Sequence, residues 1–344
     1  MKSKILVVLL VIVVIILAIL LGIKFASNEN IEGNLVENEL AVQEIEQTPE
    51  PEVPKSKYSG NERTIAVVID NVDAAIPQTG LNKAMVVYEV YVEGGITRLL
   101  AVFKGEDIDT IGPVRSARPI FIDYALENDS IFVHYGGSPR ALDDVTKLKM
   151  DNANGIYSPL NVFWRTNKKK APHNALTNTE RILEWADNQK YRQVSNERTV
   201  LNYVVDPVNL EDGMDATSVN IPYKASKVKY TYNEEIGLYE RYRSGKLCKD
   251  WLTDEVLTTK NIIITVANNY STDEENGYGR QEFENIGIKD GYYITNGKAI
   301  KITCEKKTRD GKTVYKDLEG NEIEVNDGNT YIQLVPPSMT VTIE

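Results

Sequence analysis

The apolar residues of this chain fall into short runs, most of which have the length of β-strands. Residues 64–70, TIAVVID, predict a buried strand because a continuous apolar run ends there in polar residues. Residues 84–93 and 97–104 lie on either side of Gly94-Gly95, and this spacing predicts a hairpin. Residues 130–137, SIFVHYGG, predict a further short strand. The early part of the folded chain is therefore rich in buried strands.

Three segments have helical patterns instead. Residues 120–126 are amphipathic, Ser138-Pro139 opens a second pattern that continues to Leu148, and residues 178–189 follow a capping-box spacing. Strands that alternate with helices are typical of α/β and α+β domains. We therefore expect a mixed α/β domain with a central sheet at residues 64–195.

From residue 196 the pattern changes to short apolar runs separated by turn sequences. Pairs such as Asp290-Gly291, Asn296-Gly297 and Asp310-Gly311 separate these runs, and such pairs favour β-hairpins. The predicted fold class is α+β, with the mixed α/β domain followed by a mostly antiparallel β domain at residues 196–344.

The N-terminal residues predict a membrane anchor. Residues 5–23 carry no charge, and a helix of that length spans about 30 Å, the thickness of a bilayer core. A cleaved signal peptide is the alternative, but its apolar part is usually only about 7–15 residues long. Lys2 and Lys4 favour a cytoplasmic N-terminus. We expect a single-pass anchor at residues 1–24 and an extracytoplasmic location for the rest.

The next segment predicts a spacer. Residues 29–52 contain eight glutamates and no Lys or Arg, and prolines follow at 49, 51 and 54. Repelling charges and few large apolar residues prevent a packed core. Residues 25–63 are therefore predicted to be an acidic, proline-rich linker.

Charge and cysteine content exclude several classes of protein. The chain of 344 residues has a formal net charge of −11, which opposes binding to nucleic acid. The basic run at residues 168–170 is too short to reverse this and is interpreted as a solvated loop. Cys248 and Cys304 form no metal-binding pattern, and no nucleotide or metalloprotease motif occurs. We expect neither a metal site nor a cofactor, and the oligomeric state stays open.

Residues 112–119, GPVRSARP, predict an anion site. Proline is favoured at the first position of a helix, so a helix is expected to start at Pro119 with Arg115 and Arg118 just before it. A helix N-terminus attracts anions, and two guanidinium groups add donors for phosphate or carboxylate. The alternative is that both arginines form ion pairs with Glu89, Glu93 or Asp123 and only stabilise the fold.

The same construction recurs at residues 134–139, HYGGSP, where a strand ends and Pro139 can open a helix. Two such turns after strands of one domain favour a shared crevice. The full set of predicted ligand-binding residues is Arg98, Arg115, Ser116, Arg118, His134, Tyr135, Gly136, Gly137, Ser138, Arg140, His173 and Asn174.

Four residues are candidates for acid–base chemistry. Glu89 and Glu93 are four residues apart, a spacing that places both carboxylates on one face of a strand. His134 and His173 are the only histidines, and an imidazole can move protons at neutral pH. The alternative is that the carboxylates are solvated or bind Arg98, and that the histidines are structural.

Several motifs together resemble the YerB-type lipoprotein family of bacterial envelope proteins. In the first domain these are VYEVYVEGGITRLLAVF, IGPVRSARP, FVHYGGSP and APHNAL; in the second they are YERYRSGKLCKDWLTDEVLTTKNIIIT and DLEGNEIEVNDGNTYIQLVP. The resemblance implies two domains and an extracytoplasmic location but no reaction. The chain departs from the lipoprotein pattern because it has no cysteine near its N-terminus, and its first domain ends in PHNAL where the family has PHNLY.

The leading hypothesis is a membrane-anchored protein that binds an anionic envelope ligand, such as a phosphate- or carboxylate-bearing glycan or lipid-linked precursor, in its first domain. One alternative is an envelope transferase or hydrolase acting on phosphorylated or glycan precursors through Glu89, Glu93 or His134. A second alternative is a scaffold for protein interaction that uses the β domain.

Overall fold

A mixed β-sheet with strands from both halves of the chain forms the centre of the structure. The computed structural model describes residues 55–157, 161–195, 197–272 and 279–344. Residues from Pro54 to Glu344 cluster into one compact unit. The predicted segments 64–195 and 196–344 therefore contribute strands to a common core.

Three α-helices occur among the described residues: α1 (Pro119–Glu127), α2 (Pro139–Lys147) and α3 (Thr179–Asn188). Two short 3-10 helices lie at Asp73–Ala75 and Leu81–Lys83. The strands up to the predicted domain boundary are β1 (Ile65–Ile69), β2 (Val86–Tyr91), β3 (Thr97–Phe103), β4 (Ile131–His134), β5 (Asn152–Asn154), β6 (Trp164–Arg165) and β7 (Ala175–Leu176).

The strands after that boundary are β8 (Tyr203–Val204), β9 (Met214–Asp215), β10 (Ser218–Pro222), β11 (Lys227–Asn233), β12 (Leu238–Arg243), β13 (Lys246–Leu247), β14 (Thr258–Thr259), β15 (Asn261–Val266), β16 (Asn269–Ser271), β17 (Gln281–Phe283), β18 (Gly287–Thr295), β19 (Lys298–Lys306), β20 (Val314–Lys316), β21 (Val325–Asn326), β22 (Thr330–Val335) and β23 (Thr342–Ile343). The predicted α+β class is confirmed.

The large sheet has the order β20-β19-β18-β15-β22-β2-β3-β1-β4-β5, with β9 pairing beside β19. β22 lies parallel to both β15 and β2, so a strand near the end of the chain joins the two halves. β4 lies parallel to β1 and to β5, whereas β3 is antiparallel to β1 and β2. Because β1 and β4 are parallel, the loops that follow them leave the sheet at the same edge.

The strands at the centre are buried on both faces because other elements cover the sheet. Every residue of β1, β2, β3 and β22 is buried. A second sheet, in the order β13-β12-β11-β10-β23 with β14 beside β12, contributes to this cover through Tyr230, whose ring packs edge-on against Tyr331 of β22. β11 begins with alternating exposed and buried residues, as expected for a strand with one solvated face.

The helices start where the sequence predicts. Pro119 and Pro139 occupy the first turns of α1 and α2, where the missing N–H of proline has no cost. Ser138 caps α2 by accepting a hydrogen bond from the backbone N–H of Ala141. Asn178 caps α3 by accepting from the backbone N–H of Arg181.

The predicted linker needs a correction at its end. Tyr58 is buried, and its ring lies 4.7 Å from that of Tyr203. Ser56 Oγ donates a hydrogen bond of 2.9 Å to Asp327. Residues 55–63 thus belong to the folded unit, because aromatic burial outweighs the low local hydrophobicity on which the prediction rested.

The predicted membrane segment, residues 5–23, lies outside the described residues, as does the linker before residue 55. Within the described part of the chain, no helix has the length and apolar character needed to span a bilayer.

Two buried ion pairs connect the halves of the chain. Glu89 of β2 accepts a hydrogen bond of 2.7 Å from Arg241 of β12, and both side chains are almost fully buried. Glu127 of α1 accepts one of 2.6 Å from Lys306 of β19, again in the interior. Burial by itself lowers the pKa of Arg241, but Glu89 together with Tyr230, Cys248 and Tyr331 outweighs it, and the net shift is upward.

Replacing Glu89 by Gln should lower the free energy of unfolding by about 3 kcal/mol, because the Arg241 charge would stay buried without its partner. Urea unfolding followed by the fluorescence of the three tryptophans measures this change. The double variant Glu89→Gln with Arg241→Met should recover part of the loss. A double variant less stable than Glu89→Gln alone would contradict the assignment.

A fragment that ends at residue 195 should not fold by itself. Without β22, the paired edge of β2 would be open and the apolar residues of that strand would lose their cover. Circular dichroism and size exclusion of residues 55–195 are expected to show aggregation or loss of cooperative unfolding. A monomer with a sharp thermal transition would contradict this expectation.

Candidate functional site

The two proline-opened helix starts lie side by side at the edge of the sheet where β1 and β4 end. The backbone N–H of Ala117 donates to Gly136 O over 2.9 Å, and that of Ser138 donates to Ala117 O over 3.2 Å. Ser116 Oγ donates a hydrogen bond of 3.0 Å to Tyr135 O. Direct hydrogen bonds thus bring the GPVRSARP and HYGGSP segments together.

Asp70, immediately after β1, is the centre of this region. Asp70 is only 1% exposed to solvent. Its Oδ2 lies 2.7 Å from Nδ1 of His173 and 3.1 Å from Nε of Arg115. The contact with Arg115 is an ion pair by distance but is not aligned as a hydrogen bond. The buried Nε of Arg115 therefore has no hydrogen-bond partner among the described residues. One buried carboxylate therefore holds two side chains from two separate loops.

Glu93 is the second anion of the region and follows β2. Arg118 binds it through two nitrogens, at 2.9 and 2.6 Å, and Arg98 donates to it over 3.0 Å. Burial raises the pKa of Glu93, but the two guanidinium groups outweigh burial and lower it overall. Arg98 and Arg118 therefore have internal partners, as the structural alternative anticipated.

Lys169 departs from the interpretation of residues 168–170 as a solvated loop. Its Nζ donates hydrogen bonds of 2.6 Å to the carbonyl oxygens of Ala75 and Pro77, and it lies 4.7 Å from the centre of the Trp251 ring. Burial lowers the pKa of Lys169 to about 8, against a smaller opposing effect of Asp70. Tertiary carbonyl groups and an aromatic ring fix this lysine, and sequence spacing could not show that.

These residues form what we call the cationic cluster: Asp70, Glu93, Arg98, Arg115, Arg118, Lys169 and His173. Four permanent or largely protonated cations oppose two carboxylates, which leaves an excess of two positive charges before His173 is counted. Burial, followed by the neighbouring Arg118, lowers the pKa of Arg98 to about 10. Burial is the largest cause of this shift, and Glu93 and Asp70 act in the opposite direction.

Four members of the cluster are partly exposed to solvent: the side chains of Arg115, Glu93 and His173 are 26%, 24% and 21% exposed, and Lys169 is half-buried. Within the described part of the chain, nothing hydrogen-bonds to the two terminal nitrogens of Arg115 or to Nε2 of His173. The terminal N–H groups of Arg115, beside an excess of positive charge, suit an oxyanion, whereas Nε2 of His173 donates only when the imidazole is protonated.

His134 is placed next to the cluster but is buried. Its Nδ1 lies 2.7 Å from Gly136 O, and because a carbonyl only accepts, Nδ1 carries the proton. Burial lowers the pKa of His134, against smaller effects of its hydrogen-bond partners. The ring is therefore a neutral structural group that fixes the HYGGSP turn.

The other residues of that turn have structural contacts as well. Gly136 has φ +71°, and its N–H donates to Asn154 over 2.9 Å. A side chain at Gly137 would come within 3.0 Å of Leu142, which explains the second glycine by packing. Tyr135 packs its ring between Phe163 and the guanidinium of Arg165. The turn thus has structural contacts of its own and is hydrogen-bonded to the segment that carries Arg115 and Arg118.

Three predicted residues lie elsewhere. Asn174 is buried and accepts a hydrogen bond of 2.6 Å from Arg165. Arg140 lines a different groove of about 410 Å³, together with Glu282 and Arg309. Glu89 lies in the core on the Arg241 ion pair, so it does not share a surface with Glu93 as the even spacing suggested. The physical reason is that Glu93 lies beyond the end of β2, where strand alternation no longer applies.

No three carboxylate, histidine or cysteine side chains converge as metal ligands within the ranges described. Cys304 is a buried free thiol and Cys248 a half-buried one. Burial raises the pKa of Cys304 to about 12.

Asp70 and Lys169 are the members of the cluster that the sequence did not reveal. The available signal for Asp70 was its place directly after the apolar run TIAVVI, a position that puts a polar side chain at the edge of a sheet. Lys169 gave no local signal, because its partners are more than ninety residues away in sequence.

Comparison with known proteins gives a consistent result for both halves of the chain. Residues 48–192 match the model described as "Protein of unknown function (DUF3048) N-terminal domain", and residues 219–332 match the corresponding C-terminal domain. "Putative lipoprotein YerB" of Bacillus subtilis (strain 168) is 31% identical over 288 residues, which covers 80% of this chain and 81% of that protein.

A solved structure supports the same relationship. The crystal structure of YerB from Bacillus subtilis matches with a TM-score of 0.74 and 28% identity, covering 84% of this chain and 97% of that one. The resemblance predicted from the motifs is confirmed. This chain therefore belongs to the DUF3048 family, the family of the YerB protein.

Proposed function

We propose that the protein is anchored at the outer face of the cell membrane and binds an anionic ligand of the cell envelope in the cationic cluster. The observation that carries this proposal is the excess of positive charge around Asp70, in a chain whose net charge is −11. An anion in contact with Arg115 would supply the missing negative charge.

Two observations support the proposed location. The relative from Bacillus subtilis is named a lipoprotein, and a lipoprotein is attached to a membrane by its N-terminus. In this chain Cys248 and Cys304 both lie more than two hundred residues after the apolar run at residues 5–23. The apolar residues 5–23 would take over the anchoring role, with Lys2 and Lys4 on the cytoplasmic side.

The ligand is a phosphate- or carboxylate-bearing glycan or a lipid-linked precursor. The oxygen atoms of a planar carboxylate or a tetrahedral phosphate can each accept hydrogen bonds from a guanidinium group in a bidentate manner. Arg98 and Arg118 are bound to Glu93, but they can still favour an anionic ligand. They would do so through their positive electrostatic potential and not through direct hydrogen bonds. Arg115, His173 and Lys169 would make the contacts.

Replacing Arg115 by Gln should weaken binding of sulfate, a probe for the anionic group, by about tenfold, because one charge-assisted hydrogen-bond donor is lost. Isothermal titration of the full-length protein in detergent measures the affinity. Arg198→Gln is the matched control, since Arg198 pairs with Glu322 outside the cluster and loses the same charge. Equal affinities of the two variants would contradict the proposal.

Sulfate binding should weaken as the pH rises through about 8. Burial lowers the pKa of Lys169 to about 8, so its ammonium group is charged below this pH and neutral above it. Sulfate keeps its charge over this range, so the protein alone sets the dependence. The affinity of Lys169→Gln should be lower and flat from pH 7 to pH 9. Lys168→Gln, in the same loop but exposed, should keep the wild-type profile, and a profile that persists in Lys169→Gln would exclude Lys169 as its origin.

A further inference from the structure

His173 and Asp70 form a pair whose geometry goes beyond binding. The buried carboxylate of Asp70 accepts from Nδ1 of His173 over 2.7 Å. A carboxylate only accepts, so this contact places the proton on Nδ1 and leaves the lone pair of the neutral imidazole on Nε2. Nε2 is the atom of the ring that has no hydrogen-bond partner among the described residues.

Burial separates the roles of the two groups. Asp70 is 1% exposed and cannot reach a ligand, whereas the side chain of His173 is 21% exposed. A base held by a buried acceptor keeps a fixed orientation and tautomer, which is the arrangement that proton transfer requires. Asp70 is therefore a positioning residue, and His173 is the group able to touch a reactant.

The charges that surround this base limit the class of substrate. Arg115 shares Oδ2 of Asp70 with His173, and Lys169 lies close enough to Asp70 for their charges to interact. A cluster with an excess of positive charge favours a group that is anionic in both substrate and product. A phosphodiester meets this condition, whereas a carboxylic ester is neutral and would not be attracted.

We propose that this site transfers or hydrolyses a phosphodiester, with His173 as the general base; the inference rests on the anion binding proposed above. Nε2 accepts the proton of a water or alcohol hydroxyl while the oxygen of that hydroxyl forms a bond to phosphorus. The bond between phosphorus and the leaving oxygen breaks, and the imidazolium gives the same proton to that oxygen. Atoms and charge balance without any oxidant or reductant.

The other candidate bases are unsuitable in this structure. His134 is buried with Nδ1 bound to Gly136 O, and Glu89 is buried in the Arg241 ion pair. Glu93 is bound by two arginines that lower its pKa and so weaken it as a base. His173 is the one of the four predicted acid–base residues with a free, reachable ring nitrogen in the described part of the chain.

The test uses bis(4-nitrophenyl) phosphate, a chromogenic phosphodiester, with the full-length protein in detergent and EDTA present. Wild type should release nitrophenolate, and His173→Gln should lower kcat by about a hundredfold with little change in KM, as expected for loss of a general base. Asp70→Asn should also lower kcat more than it raises KM. The Arg198→Gln control should keep wild-type turnover.

Separate measurement of binding distinguishes this inference from the proposed function. Calorimetric binding of sulfate and of the diester with no turnover above that of His173→Gln would overturn the reaction and leave the binding intact. Absence of any binding to wild type would overturn both. The melting temperature of each variant shows whether it is folded, and His173→Gln decides the result if Asp70→Asn fails to fold.

Discussion

The position of β22 is the constraint on which the rest of the structure depends. This strand, only nine residues from the end of the chain, lies between β15 and β2 and is parallel to both. Main-chain hydrogen bonds on both of its edges make a continuous sheet from two halves that are far apart in sequence. The buried pairs Glu89–Arg241 and Glu127–Lys306 cross the same boundary, so apolar and ionic contacts place the halves in one arrangement.

This arrangement also positions the cationic cluster. Asp70 follows β1, the HYGGSP turn follows β4, and β1 and β4 are parallel neighbours. The GPVRSARP segment is attached to β1 itself, because the N–H of Arg115 donates to Val68 O. From the second half, Trp251 covers Lys169, and Asp250 accepts hydrogen bonds from Thr79 and Gly80. Both halves therefore shape the region, although the members of the cationic cluster all come from the first.

The carboxylate of Asp70 has two side-chain partners within the cluster. As a buried carboxylate it needs partners nearby, and it obtains an ion pair from Arg115 and a hydrogen bond from His173, which belong to separate loops. Glu93 is the partner of Arg98 and Arg118, through two hydrogen bonds from Arg118 and one from Arg98. The difference leaves the guanidinium groups of Arg98 and Arg118 bound to Glu93, while the terminal nitrogens of Arg115 and Nε2 of His173 have no partner among the described residues.

The sequence by itself determined the class of fold, the starts of the helices and the two turn segments that lie side by side. These follow from local physics: apolar runs form strands, Pro119 and Pro139 open helices, and polar turns follow strands. Only the tertiary structure decided which charged groups meet. Glu89 lies in the core, and Lys169 donates hydrogen bonds to two carbonyl groups that are distant in sequence. Asp70 contacts both Arg115 and His173. Ion pairing depends on distances between loops that are set by strand order, and a single sequence does not contain that order in any local pattern.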